Sequence, residues 1–307
     1  MPRAVLLLVN PEKPDANAAA GEVRGLIERH GSLVGVERAE QGEPLPDARG
    51  ADLIVVLGGD GTILSQVHRC AHLGVPLMGV NFGRLGFMAE FDLAALREQA
   101  PRLFGDEPLQ IRMHDRLRVR VMSQRGGNGE QTLRCDGTAL NEAVVTAGPP
   151  FHMIQLELGI GRDDGPTIAG DGLIVSTSTG STAYNLSAGG PIIAPTVEAV
   201  TITPLAPHTL AFRPIVIDAA SRITIHLLRV NENNGKGGTT LVLDGKIAAD
   251  LHAGDRVVIE RDGRPIPLVA NPDRNYWSTV VEKLHWAATP KMRDPGRDRA
   301  ENGDEAG

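Results

Sequence analysis

The sequence predicts an N-terminal α/β domain, a parallel sheet with flanking helices, followed by a mostly-β, sandwich-like C-terminal domain. Three observations predict it. As far as residue 104, short runs of β-formers alternate with segments of helical periodicity, the pattern of a parallel sheet with helices packed on it. From about residue 110 the hydrophobic period becomes two, which half-buried antiparallel strands require. The chain also carries 36 glycines and 21 prolines beside 3% aromatic residues, a composition suited to many turns.

In chain order, Ala4 to Val9 is apolar throughout and stops at Asn10-Pro11, so it reads as a first buried strand. It is too short for a membrane span or a signal-peptide core. No other run approaches eighteen apolar residues, and a soluble, cytoplasmic protein without a membrane partner is expected. A helix over 16–30 presents Ala18, Val23, Leu26 and Ile27 on one face. Strands follow near 33–37 and at 53–57. A helix over 62–73 repeats Ile63, Leu64, Val67, Cys70 and Ala71 before Gly74 stops it. A strand at 75–80 and a helix near 92–104 complete this region.

Beyond it, Arg116 to Val121, Ile154 to Leu158, Arg222 to His226 and Arg256 to Glu260 alternate polar and apolar residues. The turn signals between strands are Gly126 to Gly129, Asn231 to Gly238, Asp244-Gly245 and Asp262-Gly263. Tyr276, Trp277, Val280, Val281, Leu284 and Trp286 then recur at helical spacing. The predicted organisation is an α/β domain over 1–108, an all-β domain over 109–270, a helix over 271–290 and a disordered, charged tail over 291–307.

A net charge of −7 with no Lys/Arg stripe argues against nucleic acid as a partner. Cys70 and Cys135 are too few for a disulfide framework, and Cys70 lies on an apolar helix face, buried and reduced. No zinc-type Cys/His spacing occurs. His68 and His72 have the (i, i+4) spacing of metal ligands, but no third ligand accompanies them, so they read as exposed surface histidines.

The functional signal is Gly58-Gly59-Asp60-Gly61-Thr62, placed between a buried strand and a helix. Such a turn presents free N–H groups at a positive helix end, which suits phosphate oxygens. A carboxylate among them would repel an anion unless it serves a metal or a proton. Asp60 therefore points to phosphoryl-transfer chemistry, against the plain reading of a helix cap. Downstream, Asn141-Glu142 sets an amide beside a carboxylate, a pairing suited to a base edge and a sugar diol. Asp171-Gly172 precedes a strand and the hydroxyl-rich loop Thr177 to Asn185, whose small groups admit a planar polar ligand. Pro204 to Pro214 brackets His208 and Arg213, and His208 reads equally as a packed residue or a ligand.

Taken in order, these segments resemble the NAD kinase family over about residues 4–286. The glycine turn, Asn141-Glu142, the Asp171 to Asn185 stretch, Pro207 to Leu210 with Arg213-Pro214, and the Asn81 to Phe87 loop all carry the resemblance. Ser178 stands where the family usually has proline, and Phe82 and Arg84 where it commonly has Thr and His. Thr167, Ile168 and Ala169 lack the basic or polar residue that members often carry before Asp171.

The resemblance implies transfer of the γ-phosphoryl group of ATP, or of another phosphoryl donor, to the 2′-hydroxyl of the adenosine ribose of NAD. Asp60 would be the general base or would orient the hydroxyl. Gly58, Gly59, Gly61 and Thr62 would bind phosphate. Asn141, Glu142, Asp171, Thr179, Thr182, Ala183, Tyr184, Ser187 and Phe87 would bind NAD. It further implies Mg²⁺ brought with ATP, no protein-held metal, and a homodimer or homotetramer in which one subunit's hydroxyl loop adds to a neighbour's site. A lipid kinase of the diacylglycerol or sphingosine type would share only the glycine turn, and a non-catalytic NAD sensor would not need Asp60.

Overall fold

The computed structural model describes residues 1–83, 86–123, 131–232 and 238–287. Arg84, the expected turn at 126–129, part of that at 231–238 and the tail expected at 291–307 lie outside the described residues.

The N-terminal half alternates as expected: β1 (Ala4–Val9), α1 (Pro14–His30), β2 (Ser32–Arg38), β3 (Leu53–Leu57), α2 (Asp60–Cys70), β4 (Leu77–Val80) and α3 (Leu93–Phe104). β1 pairs in parallel with β2 and β3, and β3 with β4. The all-apolar run of β1 is explained by burial on both faces. Val5 and Leu7 pack with Val23 and Ile27 of α1 on one side, and Leu6 and Leu8 with Ile63 and Val67 of α2 on the other. The chain turns from β1 to β2 in one direction and from β3 to β4 in the other. The β1–α1 and β3–α2 loops therefore flank a switch point, where open α/β sheets form their crevice.

The second half comprises β5 (Ile111–Ser123), β6 (Thr132–Ala139), β7 (Glu142–Thr146), β8 (Ile154–Ile160), β9 (Asp163–Gly170), β10 (Gly172–Thr177), the single-turn α4 (Tyr184–Ser187), β11 (Ala199–Leu205), β12 (Ile215–Asp218), β13 (Ile223–Arg229), β14 (Thr240–Leu243), β15 (Lys246–Asp250), β16 (Arg256–Val269) and α5 (Tyr276–Leu284). Strands β12-β11-β10-β7-β14-β15 form one antiparallel sheet. Its inward residues Val145, Val175, Ile202 and Leu241 pack against Val119, Leu156, Ile225 and Val257 of the facing sheet. This two-sheet core accounts for the period-two pattern.

The facing sheet is continuous with the first half, in the order β2-β1-β3-β4-β16-β13-β8-β9, with β5 and β6 branching from β16. The join is one parallel contact, Leu268 of β16 beside Leu77 of β4. Here the structure corrects the sequence reading of Asp262-Gly263 as a turn between strands. Asp262 lies inside β16, where the pairing with β5 slips between Asp262 and Ile266. The Asp262 carboxylate is buried against the Arg116 guanidinium, and Arg116 Nε donates to the Arg264 carbonyl at 3.1 Å. An ion pair thus anchors a bulge, and the strand bends on from one half of the molecule to the other.

Candidate active site

The glycine turn has a steric basis. A Cβ on Gly58, which has φ +157°, would lie 2.5 Å from Thr62 Oγ1. That hydroxyl accepts from Asn10 Nδ2 at 2.9 Å, tying the β1–α1 loop to the start of α2. Beside it opens a cleft of about 820 Å³ lined by Asn10 to Lys13, Arg38 to Gln41, Gly59, Gly61, Thr62 and Ser65. Its place is the crevice that the strand order predicts. The N-terminus of α2 offers positive potential there, while the charged lining is mixed, with Lys13 and Arg38 beside Glu12 and Glu40 and Arg38 paired with Glu40 at 2.8 Å.

Asp60 is the first residue of α2. Its Oδ2 accepts from Phe87 N at 2.9 Å and Lys283 Nζ at 2.8 Å, and its Oδ1 from Met88 N at 3.1 Å and Ala89 N at 3.0 Å. The approach demands glycine at 86, because a Cβ there would sit 1.7 Å from Asp60 Oδ1. Burial pushes the Asp60 carboxyl upward, but the Lys283 ammonium and the Ala89 and Phe87 amides outweigh it and hold the group below its ordinary range. Asp60 is an ionised, weakly basic acceptor.

The Asn141-Glu142 segment lies next to this turn, since Leu140 packs in one cluster with Ile63, Met88 and Ala89. Asn141 and Glu142 are both buried, and among the described residues Asn141 Oδ1 and Glu142 Oε2 have no hydrogen-bond donor. Buried acceptors seldom lack partners, so this pair marks where a ligand's donors belong. Burial and then the charge of Asp244 raise the Glu142 carboxyl to about 7, opposed by a bond from the Tyr184 amide.

Asp244 itself went unrecognised in the sequence, where Asp244-Gly245 signals only a turn. At that β14–β15 turn its carboxylate accepts from Leu140 N at 2.7 Å, Asn141 N at 2.8 Å and Glu142 N at 3.1 Å. It also bonds His68 Nε2 at 2.8 Å. His68 is therefore not the exposed surface histidine expected; two turns into α2, it joins the helix that Asp60 begins to the Asn141-Glu142 segment. His72 is exposed, as expected. Lys283 carried no sequence signal beyond its helix, and chain separation of 223 residues hides its contact with Asp60.

The hydroxyl loop is a packed structure with one open side. Thr177 Oγ1 donates to the Leu140 carbonyl at 2.6 Å, and Ser181 and Asn185 bond Ser178, Ile193, Pro191, Thr201 and Thr203. Ser178 donates to the Val197 carbonyl and, at 3.1 Å, to that of Ala199, so the serine found in place of proline ties the loop to β11. Thr179 bonds His114 Nδ1 at 2.8 Å. Burial, then Arg112, lowers His114 to about 4, which keeps it neutral near pH 7. Thr182 and Ala183 are half-buried, whereas Tyr184 and Ser187 are exposed.

Asp171 is not brought to this cluster within one chain. It is exposed and lies at the Thr146 end of the β7–β10 pair, with Glu142 opposite Ser176 at the other end, ~15 Å away at ordinary strand rise. His208 is also exposed, so the packed alternative is set aside; its amide donates to the Ala169 carbonyl at 2.8 Å, which places it near Asp171. Phe87, by contrast, sits beside Asp60, with its ring 6.1 Å from that of Tyr276. Among the described residues no group of three or more His, Cys, Asp or Glu converges as a metal site, and no helix is long and apolar enough to cross a membrane.

Comparison with known proteins bears on this geometry. Two family models match: the ATP-NAD kinase N-terminal domain over residues 43–107 and the ATP-NAD kinase C-terminal domain over residues 140–270. An NAD kinase of Thiobacillus denitrificans is 39% identical over 236 residues, covering 77% of each chain. One of Rhodopirellula baltica is 33% identical over 292 residues, covering 95% of this chain and 89% of its own. Among solved structures, a yeast NADH kinase complexed with NADH superposes with a TM-score of 0.78 at 23% identity, covering 95% of this chain and 90% of its own, a likeness of fold.

Proposed function

The chain belongs to the NAD kinase family, and from that premise we propose that it transfers the γ-phosphoryl group of ATP, or of another phosphoryl donor, to the 2′-hydroxyl of the adenosine ribose of NAD. The observation that carries this reading is the setting of Asp60: an ionised carboxylate at the N-terminus of the helix whose first turn lines a cleft of about 820 Å³, in a structure where Asn141 and Glu142 keep buried acceptors without partners among the described residues.

In the reaction the 2′-oxygen attacks the γ-phosphorus, and the bond from that phosphorus to the bridging oxygen breaks. The bond's electron pair leaves with ADP, and the hydroxyl proton passes to Asp60 and then to water. Because Asp60 is a weak base, orienting the hydroxyl is its larger contribution, and proton transfer comes late, as suits a loose phosphoryl-transfer transition state. Gly59, Gly61 and Thr62 bind phosphate at the start of α2, assisted by Lys13. Asn141 and Glu142 receive the adenine amine and the ribose diol, while Tyr184, Thr182 and Ala183 flank the dinucleotide.

Asp60 has its acceptor positions filled by Lys283 and three backbone amides, so a divalent cation such as Mg²⁺ would be carried on the phosphates of the donor, as this ion commonly is. It would neutralise phosphate charge. Asp171, with His208 near it, serves the site from a second copy in a homodimer or homotetramer, which the separation of Asp171 from Glu142 along the β7–β10 pair supports. The test is NADP formation by the purified protein with NAD and Mg²⁺, comparing ATP, polyphosphate and no donor. NADP only with a donor is expected. Absence of NADP with every donor, while NAD still binds in calorimetry, would replace the kinase reading with an NAD-binding sensor.

A further inference from the structure

An ionised carboxylate offers about four lone-pair positions, and Asp60 has all four occupied. Phe87 N and Lys283 Nζ take Oδ2, and Met88 N and Ala89 N take Oδ1. If Asp60 is to accept a substrate hydroxyl, one donor has to leave. Three of the four are backbone amides of a single turn, closed by Gly86 N bonding the Ala89 carbonyl at 3.2 Å, and none can withdraw without unmaking it. The fourth is an ammonium on a flexible four-carbon stem, its side chain 31% exposed.

Resting on the proposed phosphoryl transfer, we infer that Lys283 is a catalytic residue, the exchangeable fourth donor on Asp60. It yields Oδ2 to the acceptor hydroxyl and then places its ammonium against the phosphoryl group in transfer.

The surroundings suit such an exchange. Lys283 Nζ lies 5.0 Å from the centroid of the Phe87 ring, whose face keeps a displaced cation close. The helix itself is anchored. Val280 is buried, the Asn275 side chain caps Trp277 N at 2.9 Å, and Tyr276 OH donates to the Ile193 carbonyl at 3.3 Å. Motion is thereby left to the lysine side chain. Arg112 and Glu90, which share the neighbouring face of Phe87, are paired with each other at 2.5 Å, and Arg274 borders the same face. Lys283 is the charged side chain bonded to Asp60 among the described residues. It also lies past residue 270, where the family match ends, so that match does not assign it.

The experiment compares wild type with Lys283→Met and Lys283→Arg in NADP formation, and titrates the Asp60 carboxyl carbon of each by NMR without substrates. In Lys283→Met, kcat should fall about 10²-fold, the size of effect seen when one transition-state donor is lost. KM for NAD should hold or decrease, and Lys283→Arg should recover most of the loss. The NMR titration of Asp60 should move to higher pH in Lys283→Met, because burial is then less opposed. That shift reports the ion pair itself, and a fall in kcat without a rise in KM, recovered by Lys283→Arg, is what a merely structural role would not give. Wild-type or greater turnover in Lys283→Met, or an unmoved Asp60 titration, would overturn the inference. A wild type that makes no NADP would instead overturn the phosphoryl-transfer reading.

Discussion

Two carboxylates of the candidate site are driven in opposite directions by their own partners. Asp60 gains an ammonium and three amides and stays ionised, whereas Glu142, buried beside Asp244, is raised to about 7. Asp60→Asn should retain NAD binding in calorimetry and lose about 10²–10⁴-fold in turnover; unchanged turnover would contradict its role. For Glu142 the folded protein holds the proton more tightly than the unfolded chain does. Stability therefore falls as pH rises from the ordinary glutamate value of 4.5 through about 7. Glu142→Gln removes that ionisation, so the variant should gain about 1–3 kcal/mol relative to wild type between acid and mildly alkaline pH. Denaturant unfolding at the two pH values measures the gain, and a difference independent of pH would refute it. That Asp60 and Glu142 are candidate site residues was legible from their motifs. Their protonation was not, because it depends on Lys283 and Asp244, which lie far away in sequence.

Among the elements, the strands and helices of the first half agree with their sequence patterns to within a few residues. Local signals decide those boundaries: Pro14 at the start of α1, the Asp92 side chain capping Ala95 N at 2.8 Å, and Gly74 in the left-handed region after α2. The short turn between β14 and β15 acts well beyond its own hairpin, since Asp244 there holds three amides of the Asn141-Glu142 segment and His68 of α2. Asp244→Ala would leave those buried amides without an acceptor. A stability loss of about 2–4 kcal/mol is expected, together with a raised KM for NAD. Thermal melts and NADP-formation kinetics check both, and a variant with unchanged KM would separate the turn from the site.

Across the whole molecule, β16 joins the two halves, because one strand pairs with β13 and β5 and then reaches β4. The halves should therefore unfold together, giving a single calorimetric transition whose van't Hoff and calorimetric enthalpies agree; two resolved transitions would show the join to be weak. The sequence by itself determined the fold class, most element boundaries, the glycine turn and the segments that carry the family resemblance, since each of these is written in neighbouring residues. Tertiary structure alone decided that Asp262-Gly263 is a bulge, that His68 is engaged, that Asp171 stands away from Glu142, and that Lys283 caps Asp60. The physical reason is range. Propensity, capping and periodicity act over a few residues, whereas a buried charge is set by whatever the fold brings against it, here from as far as 223 residues along the chain.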